Sequence, residues 1–447
     1  MAKRYLNSFR DIWLFSSEKQ RIIILFIITS FIAVEIFFIS FGRYYTAICC
    51  WVCLILCELF MKLFVTFLDK KTTFIIKDEV PVITSEVLNK FYDHGFDPEL
   101  GWVRKANTAK IDLGVHYEID YRGSRRNPGH EDLPLYYSTY GDSYTFCREV
   151  ADSETWQWYL SENTEKNVLN FGVGNYGFDQ ALIRLKREYP NYPTSVVIFG
   201  VVPQSIARNL SVWKHYNEHG NTLAFKPRYK VTEEGLTLIP NIINIRERFF
   251  RLKSFLPSIQ QNDYFYDWKY KRDAFRFPFS LSCILHPKML LAASIKIISN
   301  KFLGMQKVEK LTRVILQNLL KNEGIAQTVS LYNNREAISL FTNLVGEFVE
   351  YSKQKDFLPV FVMLPMKDDL FYIKNNGSFY NNFMRNLENT FKPLVVIDAA
   401  ETLLSSGPVE NLFAKWHYNP SGNKSVAAII KEELKQFEFS RHSNVRN

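Results

Sequence analysis

Two apolar runs near the N-terminus constrain this chain more than any other feature. The first, IIILFIITSFIAVEIFFISF, spans Ile22 to Phe41 and holds 20 residues with one charge, Glu35. At 1.5 Å per residue it reaches about 30 Å, the thickness of a bilayer's hydrocarbon core. After GRYY comes a second run, Thr46 to Leu68, of similar reach but with Glu58 and Lys62 in its second half. The first run is too long for a cleaved signal peptide and lacks a small-residue cleavage site. Residues 21–69 therefore read as a transmembrane helical hairpin with its turn at Gly42 and Arg43. A carboxylate inside a span is a functional hint by default. For Glu35 the structural reading, a carboxyl protonated or hydrogen-bonded across the hairpin, is the simpler one.

Basic residues set the orientation. Lys3, Arg4, Arg10, Lys19 and Arg21 precede the hairpin, Lys70, Lys71 and Lys77 follow it, and Arg43 alone lies in the turn. Positive residues favour the cytoplasmic side. Both ends of the hairpin, the segment 1–20 and the main domain, are expected in the cytoplasm. The net charge of +9 suits an anionic membrane face as well as it suits nucleic acid. Four of the six cysteines (Cys49, Cys50, Cys53, Cys57) lie in the second apolar run, which is neither a disulfide framework nor a zinc pattern.

Past the membrane, residues 70–134 are rich in turn formers and predict short strands and loops packed on a core. From Leu135 the signals alternate. LYYSTY reads as a strand, SETWQWYLSEN as a helix, NVLNFGV as a strand, FDQALIRLKREY as a helix and SVVIFGVV as a strand buried on both faces. This first half of a core, 135–209, is interrupted by an insertion, 210–332, which opens with two strands, PRYKV and LTLIP. The second half, 333–447, resumes the alternation with the strands LPVFVMLP and PLVVID and a final helix from about Ser421. Five strands alternating with helices predict an α/β fold with a parallel sheet covered on both sides.

In such sheets ligands bind beyond the carboxyl ends of the strands. Ser143 follows the first strand, GVGNYG the second, VVPQSIARN the third, and WHYNPSGN opens the last helix. Four loops distant in sequence should meet at one rim. A serine there needs a base to take its proton, and His417 is placed to be that base. Acyl transfer also needs donors for an oxyanion. The N–H groups of Ser143 and of the Gly174-Asn175 turn are candidates, as are the side chains of Gln204, Ser205 and Asn209.

YGDSYTF, NFGVGNYGFDQ, FGVVPQSIARN and HYNPSGN stand in the order of the four blocks of the SGNH, or GDSL, hydrolases. The chain resembles that family from Tyr140 to Asn423, and DPELGW upstream is similar to a segment of membrane-associated members. The resemblance implies a flavodoxin-like three-layer sandwich with a parallel five-stranded sheet, after the two-helix hairpin. It implies Ser143 as nucleophile and first oxyanion donor and His417 as base. Asn175 stands where the second block usually has glycine; asparagine tolerates the left-handed backbone. Gln204, Ser205 or Asn209 replaces the third block's asparagine. The family usually has an aspartate three residues before the histidine, and here that residue is Ala414. Glu410 or Asp398 reaching in from elsewhere, a backbone carbonyl, or a Ser-His dyad are the alternatives.

Weaker signals compete. HYNEH, His215 to His219, has the H-x-x-E-H spacing of a zinc site, but Gly220-Asn221 follows at once and exposed polar residues are the simpler reading. DWKYKRDAFRF mixes basic and aromatic residues as a lipid interface does; ordinary packing is the close alternative, and single-stranded nucleic acid is the less favoured partner. The run from Ile284 to Ile298, broken by Pro287 and two lysines, reads as a lid or membrane-surface helix.

The expectation is a serine ester hydrolase or O-acyltransferase of a bacterial cytoplasmic membrane, with no cofactor and no metal. Its partners are the lipid bilayer and an acylated, in particular acetylated, glycan or lipid-linked glycan, as the resemblance implies. The alternative is an inactive SGNH-fold module that binds a glycan or partner at the membrane.

Overall fold

The structure, a computed structural model, describes residues 18–72, 75–76, 80–300, 315 and 323–444. Lys3, Arg4, Arg10 and Lys77, on which the orientation partly rests, lie outside the described residues. The chain divides into two compact units.

The first unit takes its described residues from 1–82, 213–222 and 256–323. Its frame is a pair of helices, Glu18–Ser40 and Tyr44–Lys71. Both are long and apolar enough to cross a membrane. The polar residues at their outer ends continue each helix beyond the apolar run. Gly42 makes the turn with φ +67, a left-handed value that is free of strain only without a Cβ. Phe31 meets Trp51 edge-on at 5.1 Å between ring centres, holding the helices together. Glu35 is buried, yet its Oε1 has no hydrogen-bond partner, so no bond from that oxygen ties the hairpin across.

The second unit, built from 83–212, 223–255 and 324–444, carries the central sheet. Its strands are β1 (Leu135–Gly141), β2 (Asn167–Asn170), β3 (Val196–Val201), β4 (Leu358–Met363) and β5 (Val395–Asp398). All pair in parallel, in the order 2-1-3-4-5. That is the flavodoxin-like order, whose ligand crevice opens where β1 and β3 run side by side.

Alternation of side chains along β3 and β4 divides the core into two faces. Val196, Ile198, Val360 and Val362 pack with Trp156, Leu160, Val426 and Ile430, which come from the helices Trp156–Thr164 and Pro420–Asn444. On the opposite face Phe199 packs between Phe178 (4.4 Å) and Phe348 (4.5 Å), from the helices Phe178–Glu188 and Arg335–Lys355. Sheet and helices thus form three layers, and the strand centres are dry on both sides.

The lead-in segment contributes the antiparallel pair Thr108–Asp112 and Val115–Ile119, and a helix, Ser85–Gly95, where strands and loops were expected. Thr84 caps that helix by accepting the N–H of Val87 at 3.4 Å. The two strands expected at the start of the insertion form a hairpin, Arg228–Thr232 with Gly235–Ile239. The insertion does not stay together. Residues 223–255 belong to the sheet's unit, whereas 213–222 and the described part of 256–323 belong to the unit of the apolar helices.

Candidate active site

β1 ends at Gly141 opposite Gly200 of β3. A Cβ on Gly200 would lie 2.4 Å from Thr145 Oγ1, so the absence of a side chain there lets the turn after β1 nest on the neighbouring strand. Asp142 then caps the short helix Ser143–Phe146, its Oδ1 accepting the N–H of Tyr144 at 2.8 Å. Its Oδ2 accepts from the N–H of Val202 at 3.2 Å and from Arg208 Nη1 at 3.0 Å. The aspartate of the Gly-Asp-Ser triplet is therefore a clasp between the first and third loops. Ser143 occupies the first helical position, where the backbone N–H has no intrahelical acceptor.

His417 reaches the same point from the loop before the last helix. Ala414 N–H donates to the His417 carbonyl at 2.9 Å, closing a tight turn. Asn419 Oδ1 accepts the N–H of Gly422 at 3.0 Å and caps the final helix. The His417 ring packs on Tyr144, 4.9 Å between centres, and Tyr144 Oη donates to the Trp416 carbonyl at 2.7 Å. So held, His417 Nε2 lies 2.9 Å from Ser143 Oγ across 274 residues of chain. Ser143 is 7% exposed and His417 8%. Burial pushes the imidazole below its ordinary value, while the charges of Glu149 and Asp142 oppose that shift. At neutral pH the ring is a neutral acceptor for the serine proton.

The acid beside the histidine is one the sequence did not single out. Glu149 Oε1 is 3.7 Å from His417 Nδ1, and among the described residues both atoms are otherwise unpartnered. Glu149 Oε2 accepts the backbone N–H groups of Lys415 (3.1 Å), Trp416 (2.8 Å) and His417 (3.1 Å). Neither expected acid is placed there. Asp398, at the end of β5, accepts from Tyr380 Oη and Ala400 N–H, both at 3.0 Å. Glu410 is exposed on the turn Val409–Leu412. Sequence reasoning looked for the acid on the chain before His417; it lies instead six residues after Ser143. Glu149 has φ +78, and no sequence signal marks a glutamate for that conformation.

Arg125 holds the loop that carries Glu149. Buried at 2% exposure, it donates to the carbonyls of Phe146 (2.7 Å), Cys147 (2.7 Å) and Val150 (2.6 Å) and pairs with Asp152 at 2.6 Å. Arg148 grips Asp112 through two bonds of 2.8 Å. These arginines fix the backbone on both sides of Glu149.

The candidate oxyanion donors fall into two classes. The N–H groups of Ser143, Gly174 and Asn175 have no acceptor among the described residues. Asn175 has φ +68, in the left-handed region. Trp102 Nε1 donates to the Gly174 carbonyl at 3.0 Å. C=O and N–H of one trans peptide point oppositely, so this bond directs the Asn175 N–H away from the indole. The DPELGW segment thus sets the second loop. In the third loop Arg208 Nη2 engages Gln204 Oε1 at 3.2 Å, leaving the half-buried Gln204 amide N without an internal partner. Ser205 is fully buried and its Oγ has no partner. Asn209 Oδ1 accepts the N–H of Asp179 at 3.3 Å within the core. Of the three side chains Gln204 is best placed to donate outward. Arg208 also donates to the Tyr176 carbonyl at 3.2 Å, so one buried guanidinium joins all three loops.

The His215-His219 pair lies elsewhere. The two ring centres lie 4.6 Å apart with the planes tilted by 40°, and His215 Nδ1 accepts the N–H of Gly220 at 3.2 Å. Burial pushes His215 down to about 3. Its helix, Lys214–Asn217, ends before Glu218, so the H-x-x-E-H spacing is not displayed on one helical face. Among the described residues no three or more histidine, cysteine or acidic side chains gather as metal ligands.

No family model and no curated protein matches the chain in sequence. Among solved structures, a protein assigned to the lipolytic G-D-S-L family, from Desulfitobacterium hafniense, is similar over 68% of this chain and 99% of its own. Identity is 12% and the TM-score 0.30, a likeness that fixes no residue's role.

Proposed function

We propose that this chain is a membrane-anchored serine ester hydrolase or O-acyltransferase of the SGNH type. The observation that carries the reading is the 2.9 Å contact between Ser143 Oγ and His417 Nε2 at the β1/β3 crevice. In the reaction, Ser143 Oγ attacks the ester carbonyl while His417 Nε2 takes its proton. The N–H groups of Ser143 and Asn175 and the Gln204 amide receive the oxyanion. Collapse breaks the ester C–O bond, the proton passes from His417 to the departing alkoxide, and an acyl-serine remains. Water or a second hydroxyl then attacks with His417 again as base, giving hydrolysis or transfer. Glu149 stabilises the imidazolium through Nδ1.

An O-acyl group, acetyl in particular, on a glycan or lipid-linked glycan is the substrate we favour. The resemblance of the four sequence blocks to SGNH hydrolases supports that choice, as do the two helices able to hold the protein at a membrane. Excess positive charge at the open end of the hairpin supports a cytoplasmic location for the catalytic unit. A module that binds without catalysis is the second reading. The open 3.7 Å gap between Glu149 and His417 favours it, since no full hydrogen bond holds the ring at Nδ1. Release of p-nitrophenol from p-nitrophenyl acetate, with and without an added pyranoside acceptor, separates the readings. Turnover abolished by Ser143→Ala supports the enzyme; equal background rates in both proteins support the binder.

A further inference from the structure

Glu58 weakens the second apolar run, and the structure gives it a use. It lies 14 residues into the 28-residue helix Tyr44–Lys71, about 20 Å from either end. Its carboxylate accepts the N–H of Phe279 at 2.6 Å, the N–H of Ser280 at 3.0 Å and the Ser280 hydroxyl. Those two amides open the helix Phe279–Leu285, whose N-cap residue, Pro278, supplies no side-chain acceptor. A second helix, Pro287–Asn300, follows at 91°.

This pair of short helices packs against both long ones below their polar ends. Leu281 and Leu285 pack with Ile24 and Ile28 of the first long helix. Cys283 and Ala293 pack with Val65 and Leu68 of the second. Ile284, Leu291 and Ile298 are 52%, 51% and 58% exposed, and Phe26 and Leu63 on the long helices are each 70% exposed. Water there would face exposed apolar side chains, and a lone carboxylate in hydrocarbon would lack partners. The observed bonds meet the second difficulty, and acyl chains meet the first.

We propose that Phe279–Asn300 is embedded in the leaflet at the open end of the hairpin. Ile284, Leu291 and Ile298 face acyl chains there, and Glu58 locks the segment to the second long helix. Lys288 and Lys296 reach up to the headgroups. The proposal goes beyond a helix resting on the membrane surface, and it rests on the reading of the two long helices as membrane spans.

The test places p-benzoyl-phenylalanine singly at positions 284, 291, 63 and 231 of the full chain in phosphatidylcholine-phosphatidylglycerol liposomes. Lipid adducts after irradiation are read by mass spectrometry. Adducts at 284 and 291, as at 63, and none at 231 are expected, with loss of the adduct at 284 when Glu58→Leu is added. An adduct at 63 without adducts at 284 and 291 overturns the proposal. No adduct at 63 overturns the membrane reading itself.

Discussion

Glu149 touches His417 in two ways. One carboxylate oxygen gathers the three backbone N–H groups that end at His417; the other lies 3.7 Å from the ring's Nδ1. Positioning and charge therefore come from one side chain. The second contact is loose; in the proposed reaction it would tighten once substrate binds. Protonation of the ring turns it into an ion pair and draws it closer.

Glu149→Gln separates the two roles. Glutamine keeps an acceptor for the backbone and loses the charge, so turnover should fall, by up to about 10⁴-fold, with little change in folding. Glu149 raises the histidine's affinity for protons against the pull of burial. Its neutralisation should move the acidic limb of kcat/KM to lower pH. A limb that stays in place would leave Glu149 only a structural role.

The limb itself reports on His417. Burial lowers the imidazole from its ordinary value near 6.5. The proposed reaction needs the neutral ring, so activity should rise with pH through a midpoint below 6.5 and be level at neutrality. A pH profile on a water-soluble ester checks this; a midpoint above 7 would contradict the environment described for the ring.

Gln204 and Ser205 sit side by side with opposite expectations. Gln204→Ala should lower kcat about a hundredfold with KM little changed, the loss usual for one oxyanion donor. Ser205→Ala should leave kcat near wild type, because its hydroxyl is enclosed in the core. Steady-state kinetics of the two variants distinguish a donor from a neighbour.

Arg208 joins Asp142, Gln204 and the Tyr176 carbonyl inside the protein. Arg208→Ala leaves the Asp142 charge buried at 1% exposure with its ion partner gone. Denaturant unfolding should show a loss of about 3 kcal/mol. Activity should fall as well, since three loops lose their common tie.

Asp369 provides a stability test away from the chemistry. Burial pushes it up to about 7, while its Oδ2 accepts the Met366 N–H at 2.9 Å. A raised carboxyl contributes stability below the unfolded value near 4, and that contribution disappears as pH rises through 7. Asp369→Asn keeps the acceptor and does not titrate. It should match wild type near pH 4 and unfold at higher temperature than wild type at pH 8, by calorimetry.

The parts of this molecule that sequence pattern reveals are those with local causes. The apolar runs, the β-branched strands and the turn residues after them state the sheet and its rim, and Ser143 and His417 follow from strand ends. Glu149 does not. Its role depends on a left-handed glutamate, on Arg125 gathering three carbonyls, and on a loop from the far end of the chain arriving above it. Nothing local marks Arg125 and Arg208, whose roles show only once the carbonyls and carboxylates they join are brought together. The insertion looked like one element because its residues are contiguous; packing divides it. The helix Ser85–Gly95 did leave a local trace, a threonine cap before a helical stretch, but the turn residues that follow obscured it.

Labelling of the full chain by a serine-directed fluorophosphonate tests the central claim most directly, because only an activated hydroxyl reacts. Wild type should be labelled at Ser143, with labelling absent in Ser143→Ala and strongly slowed in His417→Ala. A folded wild-type protein that takes up no label, or takes up as much after Ser143→Ala as before, would contradict it.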